Sequence, residues 1–71
     1  MRDQLGIDPS ECIVLEDSES GVRAAKSAGC KVIAVPTKWT ASQNFEMADV
    51  VLSRPSSEEI IGNIEKLMQE N

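Results

Sequence analysis

Histidine and tyrosine are missing from these 71 residues, which hold only two cysteines, one tryptophan and one phenylalanine. Without histidine, and without a C-x-x-C spacing, there is no ligand set for a tetrahedral zinc ion. Cys12 and Cys30 stand beside apolar runs and are read as small hydrophobes rather than as disulfide or redox partners. With so few aromatics, a core has to come from Val, Ile, Leu, Ala and Met, as a parallel sheet covered on both faces allows. Cations are scarce too. Seven Lys and Arg face twelve Asp and Glu, for a net charge of −5, and they are scattered rather than striped. That excludes a phosphate-backbone partner, so no nucleic acid is expected, and it leaves no patch for an anionic membrane. No stretch of about 18 apolar residues occurs, and the opening Met1-Arg2-Asp3-Gln4 is not a signal peptide. A cytoplasmic location is therefore expected. The length suits one small domain or part of a larger one.

The apolar residues come in short blocks. Cys12-Ile13-Val14-Leu15 reads as a buried strand, and a helix follows from about Ser20 to Ala28, with Val22, Ala25 and Ala28 on one face. Gly29 supplies the stop. Lys31-Val32-Ile33-Ala34-Val35 is a second strand ended by Pro36, and strand, helix and strand make one βαβ unit. Residues 36–48 read as a loop with a helical turn near Ala41 to Met47. Asp49-Val50-Val51-Leu52 reads as a third strand. Ser56 with Glu59 three residues later fits a capping box, and Ile60, Ile61, Ile64, Leu67 and Met68 form the apolar stripe of an amphipathic helix, read as core packing. Ahead of all this, Leu5-Gly6-Ile7-Asp8-Pro9 resembles the end of a helix, with Gly6 as the cap and Pro9 blocking continuation.

The first strand runs directly into Glu16-Asp17-Ser18-Glu19-Ser20-Gly21. In open α/β sheets ligands gather beyond the carboxyl ends of the strands. Two neighbouring carboxylates repel, and a divalent cation reverses that penalty. Glu16 and Asp17 are thus candidate metal ligands. The bland alternative is a solvated acidic turn that caps the next helix, since Asp and Ser favour helix N-termini. Gly21 permits tight packing or a turn, or else the close approach of a ligand. Asp49 is taken as the start of a strand, Arg23 and Lys26 as a solvated helix face, and Trp39 and Phe45 as packing residues.

From Val14 through Gly29, then through Val32-Ile33-Ala34-Val35-Pro36-Thr37 and Ala48-Asp49-Val50-Val51-Leu52, the chain resembles the haloacid dehalogenase superfamily, close to its β-phosphoglucomutase-like phosphatases. The resemblance covers nearly the whole sequence. It implies an α/β fold: a partial Rossmann-like core of three short parallel strands with flanking helices. It also implies that Glu16 and Asp17 are the family's metal-binding acid pair for Mg²⁺, with Asp17 the more direct ligand and Glu16 binding directly or through water. Mg²⁺ takes oxygen ligands and keeps several waters, so one or two carboxylates suit it. Ser18 would orient the acids or cap the helix. The substrate implied is a small phosphorylated metabolite.

The family's other motifs are not found. No Asp-x-Asp, which would bring the nucleophile and the general acid/base, occurs in the 71 residues. The phosphate-binding Lys and the Ser/Thr motif precede the acid pair in the family, and Lys26, Lys31 and Lys38 all follow it here. Residues 1–71 therefore look like the C-terminal portion of such a core domain, without the nucleophile strand and the cap domain. That portion alone is expected to be inactive, with weak or no Mg²⁺ binding. The competing reading is a non-catalytic interaction module, in which the edge left beside the first strand pairs with a second copy or docks onto a separate N-terminal part. A response-regulator receiver also places adjacent acids after an early strand, but it needs a phosphoacceptor Asp at the end of a later one. Val35 is followed by Pro36-Thr37-Lys38 instead.

Overall fold

A computed structural model describes residues 12–69; the proposed helix end at Leu5 to Pro9 lies outside them. Three strands, β1 (Ile13–Glu16), β2 (Lys31–Ala34) and β3 (Val50–Val51), form a parallel sheet in the order β1-β2-β3. Ile13 pairs with Lys31 and Glu16 with Ala34, while Ile33 pairs with Val50. This is the α/β architecture that the sequence predicts, with the central strand the most buried of the three. Val32, Ile33 and Ala34 are fully buried.

Helix α1 (Glu19–Ser27) connects β1 to β2. Its start and stop are written locally. Ser18 is the N-cap, and its hydroxyl accepts the Gly21 amide at 3.2 Å. At the other end Gly29 takes φ 88°, a left-handed conformation with little penalty for glycine. The Gly29 amide then donates to the Lys26 carbonyl at 2.9 Å and the Cys30 amide to Ala25 at 3.0 Å. These two bonds are the paired closure of a Schellman ending, which satisfies carbonyls the helix leaves open. Val22 is buried against Val32, Ala34 and Phe45, with Ala25 and Ala48 packed beside them. Ala28, on the same predicted stripe, is exposed.

Side chains alternate across a strand, so Ile33 points to the face opposite Val32 and Ala34, the face that Lys31 shares. From there the Lys31 ammonium reaches the Leu67 carbonyl at 2.5 Å, which brings α2 (Ser57–Gln69) to that face. The capping box forms as the spacing predicts. The Ser56 amide donates to the Glu59 carboxylate at 3.2 Å, and the Glu59 amide donates back to the Ser56 hydroxyl at 3.1 Å. The expected apolar stripe is only partly covered. Leu67 is buried, Ile60 and Ile64 are half-buried, and Ile61 and Met68 are exposed at 56% and 60%. A three-strand sheet offers α2 too little surface to cover five large side chains.

Three other expectations are corrected. Residues 36–48 contain turns and no helix; Phe45 enters the core from this segment, but Trp39 is 78% exposed, with the Lys38 ammonium 4.6 Å from its ring centroid. Lys26 is not a purely solvated residue either. Its ammonium lies 3.0 Å from the Asp49 carboxylate, whereas Arg23 does sit on an exposed face and pairs with Glu19 at 2.9 Å.

Candidate metal centre at the end of the first strand

The acid pair straddles the end of β1. Glu16 is the last strand residue, and its carbonyl accepts the Val35 amide at 2.7 Å, extending the ladder. Asp17 is the first residue beyond the strand. It is exposed and makes no hydrogen bond or ion pair with a described residue. Ser18 follows at once as the cap, so the strand-to-helix connection is only two residues long and both acids are held at the carboxyl edge of the sheet.

Gly21 shows how Glu16 is placed. A methyl group at Gly21 would collide with the Glu16 carboxylate, and its nearest contacts are the Glu16 Oε1, Cδ and Cγ. The close approach that this glycine permits is therefore made by the chain's own acid. It lays the Glu16 carboxylate against the first turn of α1, where unsatisfied amides and the helix dipole favour negative charge. Glu19, in the same turn, has a different task. Its carboxylate accepts the Asn44 amide at 3.2 Å while its own amide donates to the Gln43 side chain at 2.8 Å, so the 36–48 segment is tied to the start of α1. A cleft of about 300 Å³, lined by Ser18, Glu19, Ser20, Arg23 and Gln43, opens there.

The donor set suits Mg²⁺ in kind and falls short in number. Among the described residues no group of three or more His, Cys, Asp or Glu comes together. Two oxygen donors fit a cation that keeps most of its water, and they leave it held on one side only.

Asp49 is the functional-looking acid that sequence reasoning passed over. Its carboxylate accepts the Val32 amide at 2.7 Å and the Lys26 ammonium at 3.0 Å, and its own amide donates to the Val32 carbonyl at 2.9 Å. Partial burial pushes this carboxyl up. The Val32 amide, the bond and charge of Lys26, and the Lys31 charge outweigh it, so the group titrates below its ordinary value. Asp49 is thus a structural clasp that joins α1, β2 and the start of β3, away from the acid pair.

Against this geometry, three relatives are informative. The putative phosphatase YhcW of Bacillus subtilis is 39% identical over 67 residues, which cover 94% of this chain and 30% of that protein. A CBBY-like protein of Arabidopsis thaliana is 51% identical over 47 residues, covering 66% of this chain and 15% of the relative. Hexitol phosphatase B of Escherichia coli is 43% identical over 51 residues, 70% of this chain and 23% of that protein. This chain is homologous to a segment of haloacid dehalogenase-like phosphatases. It spans less than a third of the length of each of these three phosphatase-like relatives. No family model matches the chain, and no solved structure does. The dehalogenase-like assignment accords with the parallel three-strand sheet and its flanking helices. Among the described residues no helix is long and apolar enough to cross a membrane.

Proposed function

We propose that residues 1–71 are the C-terminal portion of the core domain of a Mg²⁺-dependent phosphatase or phosphomutase, acting in the cytoplasm on a small phosphorylated metabolite. The observation that carries this reading is the position of Glu16 and Asp17 at the carboxyl end of β1, directly before a capped helix. Asp17 projects from the edge as the direct ligand, and Glu16, backed by Gly21, holds the cation directly or through water. When bound, Mg²⁺ offsets charge on a phosphoryl group undergoing in-line transfer. This chain's own part is to hold two carboxylates in place against their mutual repulsion. The nucleophile is an aspartate outside these 71 residues, which contain no Asp-x-Asp. The chain by itself is therefore inactive and binds Mg²⁺ weakly.

Titration of the 71-residue protein with Mg²⁺, followed by amide NMR, tests the site. Shifts centred on Glu16 to Ser18 that disappear in Asp17→Asn are expected, and shifts elsewhere, or none, would refute it. Inactivity is tested separately: Mg²⁺-dependent phosphate release from an aryl phosphate, lost in Asp17→Asn, would overturn it.

A second reading is favoured by the sheet order. β1 pairs only with β2 among the described residues, and Leu15 on it is 44% exposed. Such an edge can pair with another strand, from a second copy or from a separate N-terminal part of the core. In that case the chain acts as an interaction module. Sedimentation at rising concentration distinguishes the two, because a strict monomer contradicts self-association through β1.

A further inference from the structure

We infer that the loops beyond β2 and β3 form a binding site for a phosphoryl oxyanion, distinct from the acid pair and independent of the proposed metal chemistry. A cavity of about 210 Å³ lies there, lined by Pro36, Thr37, Lys38, Ala41, Ser53 and Arg54. Thr37 and Lys38 follow β2, and Ser53 and Arg54 follow β3. The cavity thus sits at the carboxyl edge of the sheet, where open α/β sheets receive their ligands. It is smaller than the roughly 300–1,000 Å³ of pockets that hold drug-sized molecules, which suits a small ion or the phosphoryl end of a small metabolite.

The charges single this cavity out. In a chain of net charge −5, isolated cations are expected to find carboxylates or carbonyls, and several do. Arg23 pairs with Glu19, Lys26 pairs with Asp49, and Lys31 reaches the Leu67 carbonyl. Lys38, Arg54 and Lys66 have no carboxylate partner among the described residues, and two of these three, Lys38 and Arg54, line one cavity from two different loops. Two cations match a dianion. The planar guanidinium supplies a fork of donors for two phosphoryl oxygens, and the ammonium adds a point charge. The Ser53 hydroxyl adds a short donor to the lining, while the Thr37 hydroxyl accepts the Trp39 amide at 3.2 Å and bonds the Thr40 hydroxyl at 3.2 Å, which fixes the turn that carries Lys38.

The backbone adds an independent observation. Arg54 takes φ 48° and is the one described residue other than glycine with positive φ. Glycine or asparagine would meet that conformation at lower cost. An arginine held there implies that its side chain, rather than its backbone preference, is being used. Lys38 is positioned too, since its ammonium rests over the exposed Trp39 ring.

Amide NMR titration of the 71-residue protein with inorganic phosphate, at constant ionic strength and with acetate as the comparison anion, tests the site. Saturable shifts confined to Thr37 to Ala41 and Ser53 to Arg54 are expected, with acetate binding more weakly. Lys38→Gln and Arg54→Asn should each weaken phosphate binding about tenfold or more, and the double variant should abolish it. Arg54→Asn keeps a residue that tolerates the left-handed backbone, so its circular dichroism should match that of the parent. Linear shifts without saturation, equal binding of acetate, unchanged affinity in both variants, or saturation centred on Ser18 to Gly21 would each overturn the proposal. The Mg²⁺ response at Glu16 to Ser18 should persist in both variants, so the two sites stand or fall separately.

Discussion

Replacing Asp49 should destabilise the fold in a way that reports its clasp. The carboxylate stands where a strand carbonyl would otherwise receive the Val32 amide, and this bond, at 2.7 Å, is charge-assisted. Hydrogen bonds to charged groups contribute about 1.5–3 kcal/mol when well buried. The Asp49 side chain is 30% exposed, which reduces the expectation to about 1–2 kcal/mol for Asp49→Ala. The ion pair with Lys26 is a minor part, about 0.2–1 kcal/mol for an exposed pair, so Lys26→Met should cost less than Asp49→Ala. Asp49→Asn should fall between them, since its amide oxygen still accepts from Val32 while the charge is gone. The pH dependence has a definite sign. Asp49 titrates lower in the folded protein than its ordinary value, so its contribution is complete above the unfolded carboxyl pKa of about 3.9. It fades as the pH falls through the lower folded value. Urea denaturation followed by circular dichroism at neutral pH and near pH 3 measures this; Trp39, already exposed in the folded state, is a poor probe. An Asp49→Ala variant no less stable than Lys26→Met, or a gap from wild type that widens on acidification, would refute the reasoning.

Three further substitutions probe the site and its support. Gly21→Ala meets only the movable end of Glu16, so denaturation should show a change within about 1 kcal/mol, helix propensity offsetting the displacement, while Mg²⁺ titration should weaken because the Glu16 carboxylate is driven from the helix turn. Gly29→Ala forces a side chain into φ 88° and should cost about 1–2 kcal/mol by thermal or urea unfolding, leaving Mg²⁺ shifts in the folded fraction unchanged. Phe45→Ala should cost about 3–5 kcal/mol, enough to lose much of the cooperative transition by circular dichroism in so small a fold, because Phe45 closes the cluster of Val22, Val32 and Ala34.

What could be read from the sequence was what depends on neighbours a few residues apart. The reciprocal Ser56–Glu59 bonds, the Ser18 cap and the Gly29 ending are all short-range, and residue type with spacing suffices to place them. The first strand's end was misjudged by one residue, since Glu16 carries the ladder on through its carbonyl to Val35, a bond set by the partner strand. Trp39 and Phe45 looked alike because each is an aromatic in a polar loop. Their fates, exposed and buried, follow from where the loop is pinned, and the pins at Glu19 join residues 24 and 25 apart. Asp49 escaped for the same reason, because its partner amide is 17 residues away.

These pins also explain how a small sheet can hold chemistry at its edge. From Val32 to Ala34, β2 is buried on both faces and its side chains are all apolar, so polar work at this edge is confined to the segments just past the strands. Glu16 and Asp17 stand past β1, and Thr37, Lys38, Ser53 and Arg54 stand past β2 and β3. Neighbouring strands lie about 4.8 Å apart, so the acidic end and the basic end of this edge are set side by side with opposite charge. Two carboxylates are neutralised by cations elsewhere in the fold, Asp49 by Lys26 and Glu19 by Arg23. Asp17, Lys38 and Arg54 have no such partner among the described residues, nor do Glu46, Glu65 and Lys66, and what sets the first three apart is their place just past the strands. Their separation along one edge, negative over β1 and positive over β2 and β3, is what a cation and an oxyanion held at neighbouring sites would each require.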